Sequence, residues 1–329
     1  MLKYTIKRLL YSLLILFFVM FIIYVLMYNM PSGYITQRAR ELASKPNSTK
    51  SYKEWLDFLN AQYGMDKGVI TGYFTWLKSA VTGQWGDSWV HTLPVTQVFH
   101  NTIWYSFVLA LVSFIFEILI AIPLGIKAAK NQYGFTDYFA SVFSMICISM
   151  PTFFLATLLK YVFAVKLHWF EISGMQGRNF ARLSDFGKFM DIASHFVLPC
   201  ITLIIISIGG LMRYTRTNML EVLNADYIRT ARAKGVPERK VINHHAFRNT
   251  LIPLVTTLGG SLPGLFGGAL ITETLFALEG IGKASYESML LADIPFVMFY
   301  LAFLSVLTLL GNLISDLLYA VVDPRVRLS

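Results

Sequence analysis

Cysteine is nearly absent, with Cys147 and Cys200 the only two in 329 residues. Both fall within apolar runs, where a thiol behaves as a small hydrophobe, so no disulfide framework is implied. Charge is also scarce, at 14% of residues against 55% hydrophobic ones. With a mean hydropathy of +0.56, such a chain would be insoluble as an ordinary globular domain and reads as a polytopic membrane protein.

Catalytic signatures are missing as well. An ATP-hydrolysing loop needs Gly, four residues, Gly-Lys and then Ser or Thr, so that backbone amides cradle phosphate. The nearest candidate is Gly282-Lys283, which has Ala277 at the first glycine position and Ala284 in place of the hydroxyl. No His-Glu-x-x-His and no Gly-x-Ser-x-Gly occurs, so neither a zinc protease nor a serine hydrolase is indicated. His244 and His245 are adjacent and cannot share one helix face, while His168 and His195 stand alone. No catalytic residue, metal site or cofactor is expected. The net charge of +9 does not point to nucleic acid, because the basic residues sit mainly beside the ends of apolar runs, where they set membrane orientation.

Those runs predict an all-α membrane protein with six spans. The first follows Lys3, Lys7 and Arg8 and extends from Leu9 to about Met30, long enough to cross roughly 30 Å of hydrocarbon at about 1.5 Å per residue. It lacks a small-residue cleavage site and is expected to be retained. Residues 31–100 then form a polar extracytoplasmic segment. Tyr52, Trp55, Leu56, Leu59 and Tyr63 recur there at helical spacing, and Tyr73, Phe74, Trp76 and Leu77 add an aromatic cluster suited to headgroup level. The second span covers about Ile103 to Ile126. It contains Glu117, which is either a pathway residue or a hydrogen-bonded interhelical group. The third covers about Tyr138 to Val165, with Pro151 as a kink and Lys160 expected to snorkel outward. The fourth runs from Phe196 to about Met212 and ends in Gly209-Gly210, a hinge or a packing site.

The fifth span begins near Leu251 and reads LGGSLPGLFGGAL, dense in small residues. Gly264, Gly267 and Gly268 line either a gate or a close helix contact. The sixth runs from about Ile294 to Val322, with Asp323, Pro324 and Arg325 at its exit and Asp316 about two turns inside. The distribution of Lys and Arg places both termini in the cytoplasm. Three parts follow: residues 1–30 as cytoplasmic terminus and first span, 31–100 outside, and 101–329 as a five-helix core with a cytoplasmic loop at 215–250.

That loop is the most informative stretch. From Met219 to Lys234, the positions Met219, Leu220, Leu223, Tyr227 and Ala231 recur at three- and four-residue steps and predict one helix with a single apolar face. Gly235 is placed as a left-handed C-cap and Pro237 in the first turn of the next helix, with Glu238 at that helix's positive end. Val241, Ile242, His245 and Ala246 would share one side of the second helix.

RTARAKG (229–235) followed by ERKVINHHAFRNTLIP (238–253) resembles the cytoplasmic coupling loop of bacterial ABC-transporter permeases, in the form carried by dipeptide and oligopeptide importers. The general pattern of Glu-Ala-Ala, three residues and Gly is Arg229-Thr230-Ala231 and Gly235 here, without the acidic residue. The stretches YGMDKG, YFTWLKSAVTGQWGDS and PVTQVFHNTIWYS, the turn ETLFALEGIGKASYESMLLADIPFV and the tail SDLLYAVVDPRVRL are also similar to that family. NMPSGY departs from its usual Pro-Gly-Asp turn, and Glu279-Gly280-Ile281-Gly282 replaces its common Pro-Gly-Leu-Gly.

The resemblance implies the first permease type of a type I ABC importer in a bacterial plasma membrane. By that resemblance the ATPase-coupling residues are Tyr227, Arg229, Thr230, Ala231, Arg232, Ala233, Lys234, Gly235, Val236, Pro237 and Glu238. It implies as partners a second homologous permease, two cytoplasmic ATP-binding subunits, an extracytoplasmic substrate-binding protein, a peptide substrate and membrane lipid. Nickel and other small-solute importers share the permease type. An ion-coupled secondary transporter would need paired intramembrane charges, whereas Glu117, Lys160 and Asp316 are scattered.

Overall fold

The computed structural model describes residues 2–29, 33–46 and 48–322. Among these residues the chain is helical throughout, and its β structure is limited to an isolated bridge between Asp87 and Pro94. Four helices are long and apolar enough to cross a membrane, or up to six if each of two bent pairs is one span. The Met30-to-Ser32 stretch and Asp323, Pro324 and Arg325 lie outside the described residues. The chain divides into two compact units, one of Met1–Thr102 with Ala284–Leu309 and one of Ile103–Lys283 with Leu310–Ser329.

In the first unit α1 (Leu2–Tyr28) is followed by α2 (Gly33–Ala43), α3 (Tyr52–Tyr63) and α4 (Val69–Val81). Ser51 starts α3 with a capping box. Its hydroxyl accepts from the Glu54 amide, and the Glu54 carboxylate accepts from the Ser51 amide at 2.7 Å, satisfying donors that a helix start leaves open. Donation from the Ser51 amide and from the Ser51 hydroxyl (2.8 Å) holds the Glu54 carboxyl below the usual carboxylate range. Gly64 ends α3 at φ +70°, and the chain turns back so closely that a Cβ there would meet the Gly72 backbone at 2.7 Å.

Most aromatics singled out in this segment are core, while Tyr52 and Phe74 are exposed. Tyr24, Tyr63, Tyr73 and Trp76 are buried in one cluster with Met20 and Leu59, and Trp55 and Leu56 pack against it. Tyr24 Oη donates to the carbonyls of Tyr63 (3.1 Å) and Gly64 (3.2 Å), and Tyr73 Oη donates to that of Phe17 (2.8 Å). Single tyrosines thus bury apolar rings and satisfy the hydroxyl locally. Burial pushes the Tyr63 phenol well above its ordinary value. Asp293 is fully buried beside this core, accepting from the Ser88 hydroxyl and from the amides of Trp89 (3.0 Å) and Val90 (3.2 Å).

The second unit holds most of α5 (Val95–Lys130), then α6 (Phe135–Ser149), α7 (Thr152–Leu159) continued by a π-wound turn Lys160–Lys166, and α8 (Asp185–Leu223). The third span, expected from about Tyr138 to Val165 with a kink at Pro151, is a pair of helices, 135–149 and 152–166, bent by 100° at that proline, since proline removes an amide and restricts the residue before it. Lys160 does not snorkel freely: its ammonium donates to the Leu275 carbonyl at 2.5 Å and lies over the Phe276 ring.

At Gly209 the choice between hinge and packing falls to packing, because a Cβ there would meet the Ser144 carbonyl at 2.7 Å. A Cβ at Gly125 would likewise meet the Met212 carbonyl at 2.7 Å. Glycine permits this backbone-to-backbone contact between helices. Asp137 and Arg216 tie α6 to α8 through a paired contact, with Arg216 Nη2 donating to Asp137 Oδ2 at 2.8 Å.

The chain continues through α9 (Asp226–Ala233), α10 (Glu238–Lys240) with a π-wound extension Val241–Ala246, and α11 (Phe247–Ser261). After a 3-10 turn at Leu262–Phe266 come α12 (Leu270–Phe276), α13 (Ile281–Leu290) and α14 (Ile294–Val322).

Candidate functional site

The polar loop after α8 folds into a helix, a glycine turn and a second helix. One continuous helix from Met219 to Lys234 was expected, but α8 stops at Leu223 and α9 restarts at Asp226. The interruption at Asn224-Ala225 shifts the helical phase. Ile228, not Tyr227, therefore points inward: Ile228 is fully buried, whereas Tyr227 is 49% exposed. Ile228 packs with Ala129, Met219, Val241, Ile242 and Ala246, and the half-buried Ala231 and Val236 close the same cluster. Of the second helix's expected side, Val241, Ile242 and Ala246 are buried and His245 is half-buried.

The turn is a Schellman motif. The Gly235 amide donates to the Arg232 carbonyl (2.9 Å) and the Val236 amide to that of Ala231 (3.2 Å), with Gly235 at φ +72°. Pro237 sits at the N-cap of α10, its carbonyl accepting from the amides of Lys240 and Val241. Arg232 then reaches across the turn. Its Nη2 and Nε donate to the two Glu238 oxygens at 2.8 and 3.1 Å, a bidentate clasp of the kind a planar guanidinium favours. Arg232 holds the Glu238 carboxyl below its ordinary range.

Tyr227, Arg229, Thr230, Arg232, Ala233, Lys234, Gly235, Pro237 and Glu238 are exposed, and Ala231 and Val236 are half-buried. A shaped, mainly basic knuckle results, fixed from beneath by Ile228 and presenting its polar side to solvent. Such an element can seat in a groove of another protein and pass displacement into the helices that flank it.

The four pathway candidates have different surroundings. Glu117 is half-buried in α5 and makes no hydrogen bond or ion pair among the described residues. Gly264 is exposed with no atom near its missing Cβ, and Gly267 has only the Gly264 carbonyl at 3.6 Å. Gly268 takes φ +74°, and a Cβ there would collide with the Gly282 backbone. The break at 267–269 bends residues 253–276 by 45°.

A buried carboxylate behind that break was missed. Glu273, fully buried, accepts from the Ser106 hydroxyl (2.6 Å) and from the amides of Ala269 (2.8 Å) and Lys283 (2.9 Å). The Ser106 hydroxyl in turn accepts from the Ile281 amide at 2.8 Å. A Cβ at Gly282 would meet Glu273 Oε2 at 2.9 Å, so the Gly280-Ile281-Gly282 turn is built around this carboxylate. An acidic residue beside a glycine turn was the available sequence signal. Its partner Ser106, in α5, carried none.

Residues 121–328 match the family described as binding-protein-dependent transport system inner membrane component, and residues 1–123 match the N-terminal membrane component of the same systems. The chain belongs to this family of ABC-transporter permeases. It is 36% identical over 328 residues to the oligopeptide transport system permease protein AppB of Bacillus subtilis, covering 99% of this chain and 100% of that one. It is 31% identical over 328 residues to the oligopeptide transport system permease protein OppB of Haemophilus influenzae, with the same coverage. With the dipeptide transport system permease protein DppB of Lactococcus lactis subsp. cremoris it shares 32% identity over 329 residues, all of both chains.

Proposed function

We propose that this chain is one membrane-spanning half of the translocation pathway of an ATP-driven peptide importer, and that the 226–246 element couples it to a cytoplasmic ATPase. The observation that carries the coupling role is the exposed helix–glycine–helix knuckle anchored by Ile228 directly after α8. Peptide as substrate is supported by the names of its full-length relatives.

In this reading both termini and residues 215–250 lie in the cytoplasm, and residues 31–100 connect the first two spans on the outer side. A second homologous permease completes the pathway, two ATP-binding subunits hydrolyse the nucleotide, and a substrate-binding protein delivers the peptide. The chain itself hydrolyses nothing. ATPase closure displaces the knuckle, and the spans exchange between outward- and inward-facing states. Glu117 and the Gly264, Gly267 and Gly268 break are its pathway candidates, with Gly268 held to its conformation by packing.

The test is binding-protein-stimulated ATP hydrolysis and peptide uptake by the full complex in lipid, comparing the native chain with Gly235→Pro. Proline cannot take φ +72°, so an assembled complex that no longer couples supports the reading. Uptake without ATP, or normal coupling by the variant, overturns it.

A further inference from the structure

Residues 31–100 read as a polar extracytoplasmic segment with an aromatic cluster at headgroup level, yet α4 runs down the side of α1. The Lys67 carbonyl, just before α4, accepts from Tyr28 Oη at 3.2 Å. Further along, Gly72 meets Tyr24, and Tyr73 meets Phe21 and Phe17. At the end of α4, Leu77 and Val81 share the lining of a cavity of about 390 Å³ with Leu13 and Phe17. The contacts therefore track α1 from Tyr28 to Leu13, about 22 Å along a helix axis, within a segment apolar enough to span the bilayer. A helix packed along that length lies at hydrocarbon depth.

The side chains of α4 divide into three flanks. Gly72, Tyr73, Trp76 and Ala80 are buried inward. On one side Ile70 (66%), Phe74 (54%) and Val81 (80%) are exposed. On the other lie Thr71, Thr75 and Lys78, the first and last exposed and Thr75 half-buried. An apolar flank this open would be costly in water. It is continuous in character with exposed Leu13, Leu14 and Phe18 of α1.

The far end of α4 also meets the condition that hydrocarbon imposes on backbone. The Thr82, Gly83 and Gln84 amides fold back onto the carbonyls of Lys78, Ala80 and Ser79 at 3.1, 3.1 and 2.9 Å, with Gly83 at φ +79°. The chain then returns, Trp85 against Trp76 and Trp89 against Tyr63.

We propose that α4 is a re-entrant membrane helix acting as a partition: its Ile70, Phe74 and Val81 flank contacts lipid acyl chains, and its Thr71, Thr75 and Lys78 flank borders water. The full chain, with its partner subunits, is reconstituted in phosphatidylethanolamine and phosphatidylglycerol vesicles. Spin labels are placed singly at 74, 75, 78 and 81 in a Cys147→Ala, Cys200→Ala background. Positions 74 and 81 should collide more with oxygen than with a water-soluble nickel chelate, and 75 and 78 the reverse. Equal chelate access at all four positions, as for a helix in water, overturns the proposal. So does low access of both reagents at 74 and 81, as for a flank covered by another protein. Brominated-lipid quenching of Phe74→Trp in the otherwise native chain, compared with the unsubstituted chain, gives a second reading: loss of its added fluorescence supports the proposal, and its persistence overturns it.

Discussion

Ser106 and Glu273, 167 residues apart in the chain, meet in a buried hydrogen bond of 2.6 Å, and between them they satisfy three backbone amides of the turns around 269–283. Glu273→Ala would orphan the Ala269 and Lys283 amides and the Ser106 hydroxyl. At about 1–3 kcal/mol for each buried unsatisfied group, the variant should fail to accumulate as folded protein. Glu273→Gln keeps an acceptor and the shape, so it should be milder. Folded yield of the two variants from membranes, against that of the native chain, checks the order.

Ala277 ends α12 at φ +53°, a left-handed C-cap without glycine. A Cβ in that region costs about 1 kcal/mol, so Ala277→Gly should raise the unfolding midpoint slightly, and Ala277→Val should lower it. A midpoint unchanged in both would contradict the strain assigned here.

Ile228→Ala removes the side chain that anchors the knuckle. A large-to-small change at a fully buried site costs about 2–5 kcal/mol, enough to loosen an element of this size while leaving the spans folded. The complex should assemble and lose binding-protein-stimulated ATP hydrolysis. Hydrogen exchange over 226–246 should rise in the same variant.

The Arg232–Glu238 clasp has a defined pH response. Because Glu238 titrates below its unfolded value of about 4.3, the clasp contributes above that pH and is lost as pH falls through the lower folded value. Both side chains are largely solvent-screened, so the contribution is at most about 1 kcal/mol. Exchange at the Gly235 and Val236 amides follows this: it should show an opening as pH falls through that lower folded value, and Glu238→Gln, which lacks the carboxylate at every pH, should remove the pH dependence.

Asp137 is buried against the partly exposed Arg216. Asp137→Ala should cost about 1–3 kcal/mol, less than for a fully buried pair because solvent reaches the Arg216 guanidinium left behind. The double exchange Asp137→Arg with Arg216→Asp should recover part of it, measured as folded yield from membranes.

The sequence made some of this legible and withheld the rest for physical reasons. Gly235 was readable because a left-handed cap is a local requirement that few residues meet. The inward position of Ile228 was not, because helical phase carries across a loop only if the helix does, and Asn224-Ala225 breaks it. Tyr73 and Trp76 announced an aromatic cluster, but which flank of α4 is buried depends on α1, some fifty residues earlier. Ser106, Asp137 and Asp293 acquire their roles from partners distant in the chain, for which no local spacing exists. Lys160 illustrates the same limit: its amphipathic stem suggested outward reach, and a carbonyl on α12 captured it.

Helix α8 runs unbroken from Asp185 to Leu223, about 58 Å at 1.5 Å per residue, and ends just before the knuckle. Gly125 and Gly209 let α5 and α6 grip it backbone to backbone, leaving little slack for side chains to absorb a displacement. It is therefore suited to move as one rod between Leu223 and Pro199, where the ring removes one helix hydrogen bond: a tilt at the knuckle end would be carried into the packed span rather than taken up by side chains.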